Sequence, residues 1–141
     1  MGGILVGVDG SDGSVKALGW ALEEGRLRGC EVRACYVLDR RYVEPEWASL
    51  MTPPIDELRR EAASRLAGMV ADAGGDEGVH QEVLVPDGQG TAKTLLDAAG
   101  DVDLLVVGSR GHGGFQGLLL GSVSQQLLHH APCPVVVVPG G

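Results

Sequence analysis

Five short apolar runs, each rich in valine or leucine, recur along the chain and are separated by longer stretches of helical period. They are ILVGV (4–8), EVRACYVL (31–38), VHQEVLV (79–85), VDLLVV (102–107) and PVVVV (134–138). Runs of this length and branching read as strands, and their near-continuous apolar character suits strands covered on both faces, as in a parallel sheet. Between them Val15, Leu18 and Leu22 fall at helical spacing, as do Ile55, Leu58, Ala62, Leu66 and Met69, while Leu95, Leu96 and Ala99 mark a shorter third helix. Ser11 or Asp12 is placed to cap the first helix, and Pro53 and Pro54 suit the start of the second, where a missing amide hydrogen costs little. A fourth helix is expected near Ser122, because Ser122 and Gln125 make an S-x-x-Q capping box ahead of Leu127 and Leu128, and Pro132 stops it. Strict alternation of the two periods predicts an α/β fold: a single doubly wound open parallel five-stranded sheet, helices on both faces, joined by right-handed crossovers.

One domain accounts for the whole length. The 141 residues, 44% of them hydrophobic, show no internal repeat and suffice for one buried core. No apolar stretch approaches the roughly 18–20 residues of a membrane span, and the N-terminus enters a strand-like segment without a basic flank or cleavage site. The start MGGILV resembles a myristoylation signal only superficially, since Val6 stands where Ser or Thr is required. Cys30, Cys35 and Cys133 are odd in number, sit among apolar residues and lack the paired spacing of a zinc or redox site, so they read as reduced core thiols of a cytoplasmic protein. A formal charge of −8 argues against a nucleic-acid surface, which is built from clustered Lys and Arg. The segment 39–52 has no clear period; loops of that length in compact domains are commonly lids or contact segments.

Six glycines crowd GSRGHGGFQGLLLGS (108–122), directly after the fourth strand-like run. In an open α/β sheet ligands sit beyond the carboxyl ends of the strands, and two loops there carry suitable residues: VDGSDG after the first strand and this stretch after the fourth. Glycines let main-chain amides approach an anion, and a following helix start adds unpaired N–H donors and the positive end of its dipole. Glycine richness alone suits a surface loop without chemistry equally well. Neither a Walker A loop nor a G-x-G-x-x-G fingerprint is present.

The spacing is more specific. Gly108-x2-Gly111-x9-Gly121-Ser122 resembles the ATP-binding signature G-x2-G-x9-G-[ST] of the universal stress protein family. The opening ILVGVDGS, the middle VDLLVVGSRGHGG and the closing LLLGSVSQQLLHHAPCPVVVVP resemble that family's blocks in order and separation, and only 39–53 matches poorly. The resemblance implies a Rossmann-like sheet of the adenine nucleotide alpha hydrolase type, order 3-2-1-4-5. It also implies an adenine nucleotide (ATP, or ADP or AMP, with or without Mg2+) between the ends of strands one and four, and a homodimer. Residue by residue, Asp9 matches the acid near ribose and adenine, with Val8 and Gly10 flanking it and Val37 beside the base. Gly108, Gly111, Gly121, Ser122 and Val123 match the phosphate-binding positions, with Ser124 a weaker candidate. The chemistry is plausible on its own terms: a carboxylate accepts from ribose hydroxyls, and Ser122 offers a hydroxyl and an amide to phosphate. A plain turn residue before Gly10 is the alternative for Asp9, outweighed by the matching distal loop.

Arg110 reads as solvated and His112 as a loop histidine without a role. His129 and His130 fall near the end of the fourth helix, where a cation suits the dipole and no third metal ligand is in view. With no P-loop lysine and Asp9 the one expected carboxylate of the site, the sequence points to a regulatory nucleotide-binding module acting through protein partners. The alternatives are a slow ATPase or nucleotidyl transferase, and a nucleotide-free dimeric scaffold. The last strand, at a sheet edge in the implied order, predicts a homodimer through 134–138.

Overall fold

A computed structural model describes residues 2–38, 54–86, 89–109 and 121–139. The segment 39–52, Pro53, Arg110, Gly111 and His112 lie outside the described residues. Strands and helices alternate as the periodicity predicts: β1 (Ile4–Val8), α1 (Asp12–Arg28), β2 (Val32–Val37), α2 (Ile55–Asp72), β3 (His80–Leu84), α3 (Thr91–Ala98), β4 (Leu104–Gly108), α4 (Ser122–His130) and β5 (Val135–Val138). The five strands form one parallel sheet in the order β3-β2-β1-β4-β5.

Side chains of a strand alternate between faces, so each strand feeds two cores. Ile4, Val6 and Val8 of β1 join Val32, Ala34 and Tyr36 of β2 and Leu104 and Val106 of β4 beneath α1 and α2, where Leu18, Leu22 and Leu66 cover them. Leu5, Cys35, Val37, Leu105 and Val107 face the other way, under Leu95 of α3 and Leu127 of α4. Full burial of Leu5, Leu18, Leu66, Leu105 and Leu127 stabilises the fold by about 1.5–3 kcal/mol each.

The coverage expected on both faces holds for β1, β2 and β4 but not at the sheet edges. Residues 80–82 of β3 are exposed and every residue of β5 is half-buried, because each edge strand lacks a neighbour on one side. The core-thiol expectation is likewise met by Cys35 alone; Cys30 and Cys133, in loops at element ends, are half-buried, and all three are free.

Local signals set most boundaries. Ser11 caps α1, its side chain accepting from the Ser14 amide, and Gly29 ends that helix in the left-handed region at φ 67°. Two expectations near the glycine signature need correction. The N-cap of α4 is Gly121, with Ser122 already helical, so no capping box forms; the first intrahelical bond runs from the Gln125 amide to the Gly121 carbonyl. Gly108 does not follow the fourth strand but ends it, paired with Val138 of β5. Among the described residues no helix is long and apolar enough to cross a membrane.

Candidate functional site

The sheet order reverses at β1 and β4. These neighbours run parallel, with Val6 beside Val106, and their connections leave to opposite faces: β1 leads into α1, β4 towards α4. That divergence opens a crevice at the carboxyl edge, the usual ligand position of such sheets.

On the β1 side, Asp9, Ser11 and Ser14 form a closed ring of hydrogen bonds. Asp9 Oδ1 accepts from the Ser11 amide at 2.9 Å and from the Ser11 hydroxyl at 2.6 Å. The Ser11 Oγ in turn accepts from the Ser14 amide at 3.3 Å. Ser14 Oγ donates to the Ser11 carbonyl at 2.9 Å and accepts from the Asp9 amide at 3.3 Å. Gly10, at φ 88°, supplies the turn that folds Asp9 back over Ser11, a backbone region closed to most side chains. Ser14, which the sequence reading passed over, was visible in the spacing D-x-S-x-x-S, an Asx turn running into a helix cap.

On the β4 side the chain leaves at Ser109 and returns at Gly121 to the same point, for the Gly121 amide donates to the Ser109 carbonyl at 2.6 Å. Ser124 braces this neck: its buried hydroxyl lies 2.8 Å from the Gly108 carbonyl and 3.3 Å from that of Ser109. The glycine N-cap offers no side chain to the first turn of α4, and that turn holds no acid. The amides of Ser122, Val123 and Ser124 precede the first intrahelical bond, so the helix presents donors and its positive end at the neck. Ser122 is exposed there and Val123 half-buried.

Val8 and Val37 are both buried, on opposite faces of the sheet at the ends of β1 and β2. The structure thus brings Val8, Asp9, Gly10, Gly108, Gly121, Ser122, Val123 and Ser124 to the carboxyl ends of two adjacent strands, with Val37 one strand away. The two helix starts differ in charge and capping: α1 is closed by Ser11 and carries Asp12, whereas among the described residues α4 has no side-chain cap and no acid in its first turn. A helix start with neither cap nor acid favours an anion more than one that carries both. His129 and His130 stand at the far end of α4, and among the described residues no three His, Cys, Asp or Glu side chains gather as a metal site. An open cleft of about 440 Å³ lined by Leu22, Arg26, Cys30, Glu31 and Gly75 lies at the opposite edge of the sheet, away from every candidate residue.

The model of the universal stress protein family matches residues 1–139. A universal stress protein of Mycolicibacterium smegmatis is 36% identical over 142 residues, covering 98% of this chain and 48% of the relative. Universal stress protein Rv2623 of Mycobacterium tuberculosis is 34% identical over 147 residues, covering 96% of this chain and 47% of the relative. The chain spans about half the length of the curated relatives it matches. Among solved structures, UspA of Lactobacillus plantarum superposes with a TM-score of 0.74 at 23% identity, covering 97% of each chain. The universal stress protein of Archaeoglobus fulgidus in complex with dAMP gives 0.67 at 24% identity, covering 98% of each. A family protein of Arabidopsis thaliana with AMP bound gives 0.62 at 22%, covering 99% of this chain and 92% of the other.

Proposed function

This chain belongs to the universal stress protein family, and from that premise we propose that it is a regulatory module that binds ATP or another adenylate between the ends of β1 and β4. The observation that carries the reading is the contrast between the two helix starts at this crevice: α1 is self-capped and acidic, while among the described residues α4 has neither a side-chain cap nor an acid in its first turn. The phosphates lie at α4, on the amides of Ser122 and Val123 and the Ser122 hydroxyl, where donors without intrahelical acceptors and the helix dipole favour negative charge. Asp9 receives the ribose hydroxyls, and Val37 lies towards the base. Gly121 and Ser124 hold the neck, the Gly121 amide donating to the Ser109 carbonyl and the Ser124 hydroxyl to that of Gly108. Mg2+, where present, arrives with the phosphates. The adenine mononucleotides held by the Archaeoglobus and Arabidopsis proteins support this choice of ligand class.

The nucleotide state regulates contacts with a protein partner, without catalysis. Two copies pair through the open edge of β5, whose residues are all half-buried in the single chain. The protein acts in the cytoplasm, in a stress response. Two measurements test the ligand: mass spectrometry of nucleotide released on denaturing the purified protein, and calorimetric titration with Mg-ATP. An adenylate in the first or saturable heat in the second is expected. A blank in both leaves the nucleotide-free scaffold.

A further inference from the structure

We propose that Ser11 is a positioning residue for the nucleoside, holding the Asp9 carboxylate in the orientation that meets ribose hydroxyls; this rests on the adenylate reading above. A helix cap needs only an acceptor, and the Ser11 Oγ provides it by accepting from the Ser14 amide. That leaves the hydroxyl its single proton, which goes to Asp9 Oδ1 at 2.6 Å, the shortest bond of the ring. The Ser11 amide donates to the same oxygen at 2.9 Å. Two donors converging on one carboxylate oxygen fix the rotation of the whole group. The Asp9 amide is tied in turn to Ser14 Oγ, so backbone and side chain of Asp9 are held from the same helix turn.

A carboxylate held this way meets a ligand without first losing rotational freedom, and the gain appears as affinity and as discrimination between sugars. Ser11 therefore contributes to specificity without touching the ligand. Its effect is transmitted entirely through Asp9.

Ser11→Gly removes the hydroxyl while keeping the amide and a residue that caps nearly as well, whereas Ser11→Thr keeps both functions. Calorimetric titration of the full chain with ATP and with 2′,3′-dideoxy-ATP is the measurement. Ser11→Gly is expected to lower ATP affinity about tenfold and to shrink the preference for ATP over the dideoxy nucleotide, with Ser11→Thr near the unaltered protein. In an Asp9→Ala background Ser11→Gly is expected to add nothing, because its route is gone. A full Ser11→Gly effect without Asp9, or an unchanged sugar preference in Ser11→Gly, overturns the inference while leaving the adenylate reading intact. Failure of the unaltered chain to bind ATP at all overturns both.

Discussion

Gly108, the last residue of β4, abuts the carbonyl of Gly13 in the first turn of α1: a Cβ on Gly108 would stand 2.8 Å from the Gly13 carbonyl carbon and 2.9 Å from its oxygen. The obstacle is helix backbone, which cannot rotate away as a side chain can. Gly108→Ala must lift the start of α1 from the sheet, and urea unfolding is expected to show a loss of about 1–3 kcal/mol. The Ser14 amide is 3.2 Å from the same point, so the Asp9 ring shifts too and ATP affinity falls in the same variant. Gly19 of α1 is the control: nothing lies within 4 Å of its added Cβ, and Gly19→Ala is expected to gain about 0.5–1 kcal/mol.

The signature glycine at 108 was legible as a glycine that something must approach, but not as one approached by Gly13. That contact joins residues 95 positions apart, and no local pattern carries it. The strand pattern, by contrast, was local: runs such as ILVGV are short and apolar because both sheet faces are covered, and the structure keeps β1 at 4–8 as read. The start of α4 fell between these cases. Ser122 satisfies the local capping pattern, yet the bond from the Gly121 amide to Ser109 draws the cap one residue earlier, a tertiary constraint that overrides a local preference. At β3 the run VHQEVLV predicts a covered strand, yet His80, Gln81 and Glu82 are exposed, because the sequence does not say which strand lies at an edge.

Ser124 separates a phosphate contact from a structural brace. Its hydroxyl bonds to the Gly108 carbonyl from a position 3% exposed, so Ser124→Ala leaves that carbonyl short of a donor and loosens the start of α4 from β4. A stability loss of about 1–3 kcal/mol is expected. If the brace sets where the α4 amides stand, titrations will show ATP affinity falling while adenosine affinity holds; an equal loss for both would place the effect elsewhere.

The open edge of β5 offers a test of assembly that spares the fold. The carbonyls of Pro134 and Val138 accept from Leu105 of β4 and from Ser109 just beyond it, so even-numbered residues turn their backbone groups inward and Val135 and Val137 turn theirs out. Val137→Pro removes an outward N–H and leaves the β4 ladder intact, a placement tolerated on edge strands. Sedimentation at micromolar concentration is expected to give a dimer for the unaltered chain and a monomer for Val137→Pro. Val136→Pro, which removes an inward N–H, is expected to lower stability itself. A monomeric unaltered chain would remove the proposed interface.

Cys35 gives the fold a pH dependence of definite sign. Burial under α3 and α4 pushes its thiol up from 9.0 to about 11; Arg33 opposes the shift and Glu82, beside it on β3, adds to it. The folded protein therefore keeps the proton where the unfolded chain has lost it. The contribution is complete below pH 9 and is lost as pH rises towards 11, because the unfolded state is then the one that gains by ionising. Over that window the loss amounts to about 2–3 kcal/mol. Urea unfolding of the unaltered chain and of Cys35→Ala between pH 8 and 11 isolates it, since every other group that titrates there is common to both. The two stability curves are expected to converge as pH rises, and parallel curves would show that the thiol is not held in a dry environment. Alkylation offers the kinetic counterpart: at pH 8 Cys30 and Cys133, both half-buried, are expected to react in the native protein and Cys35 only after unfolding.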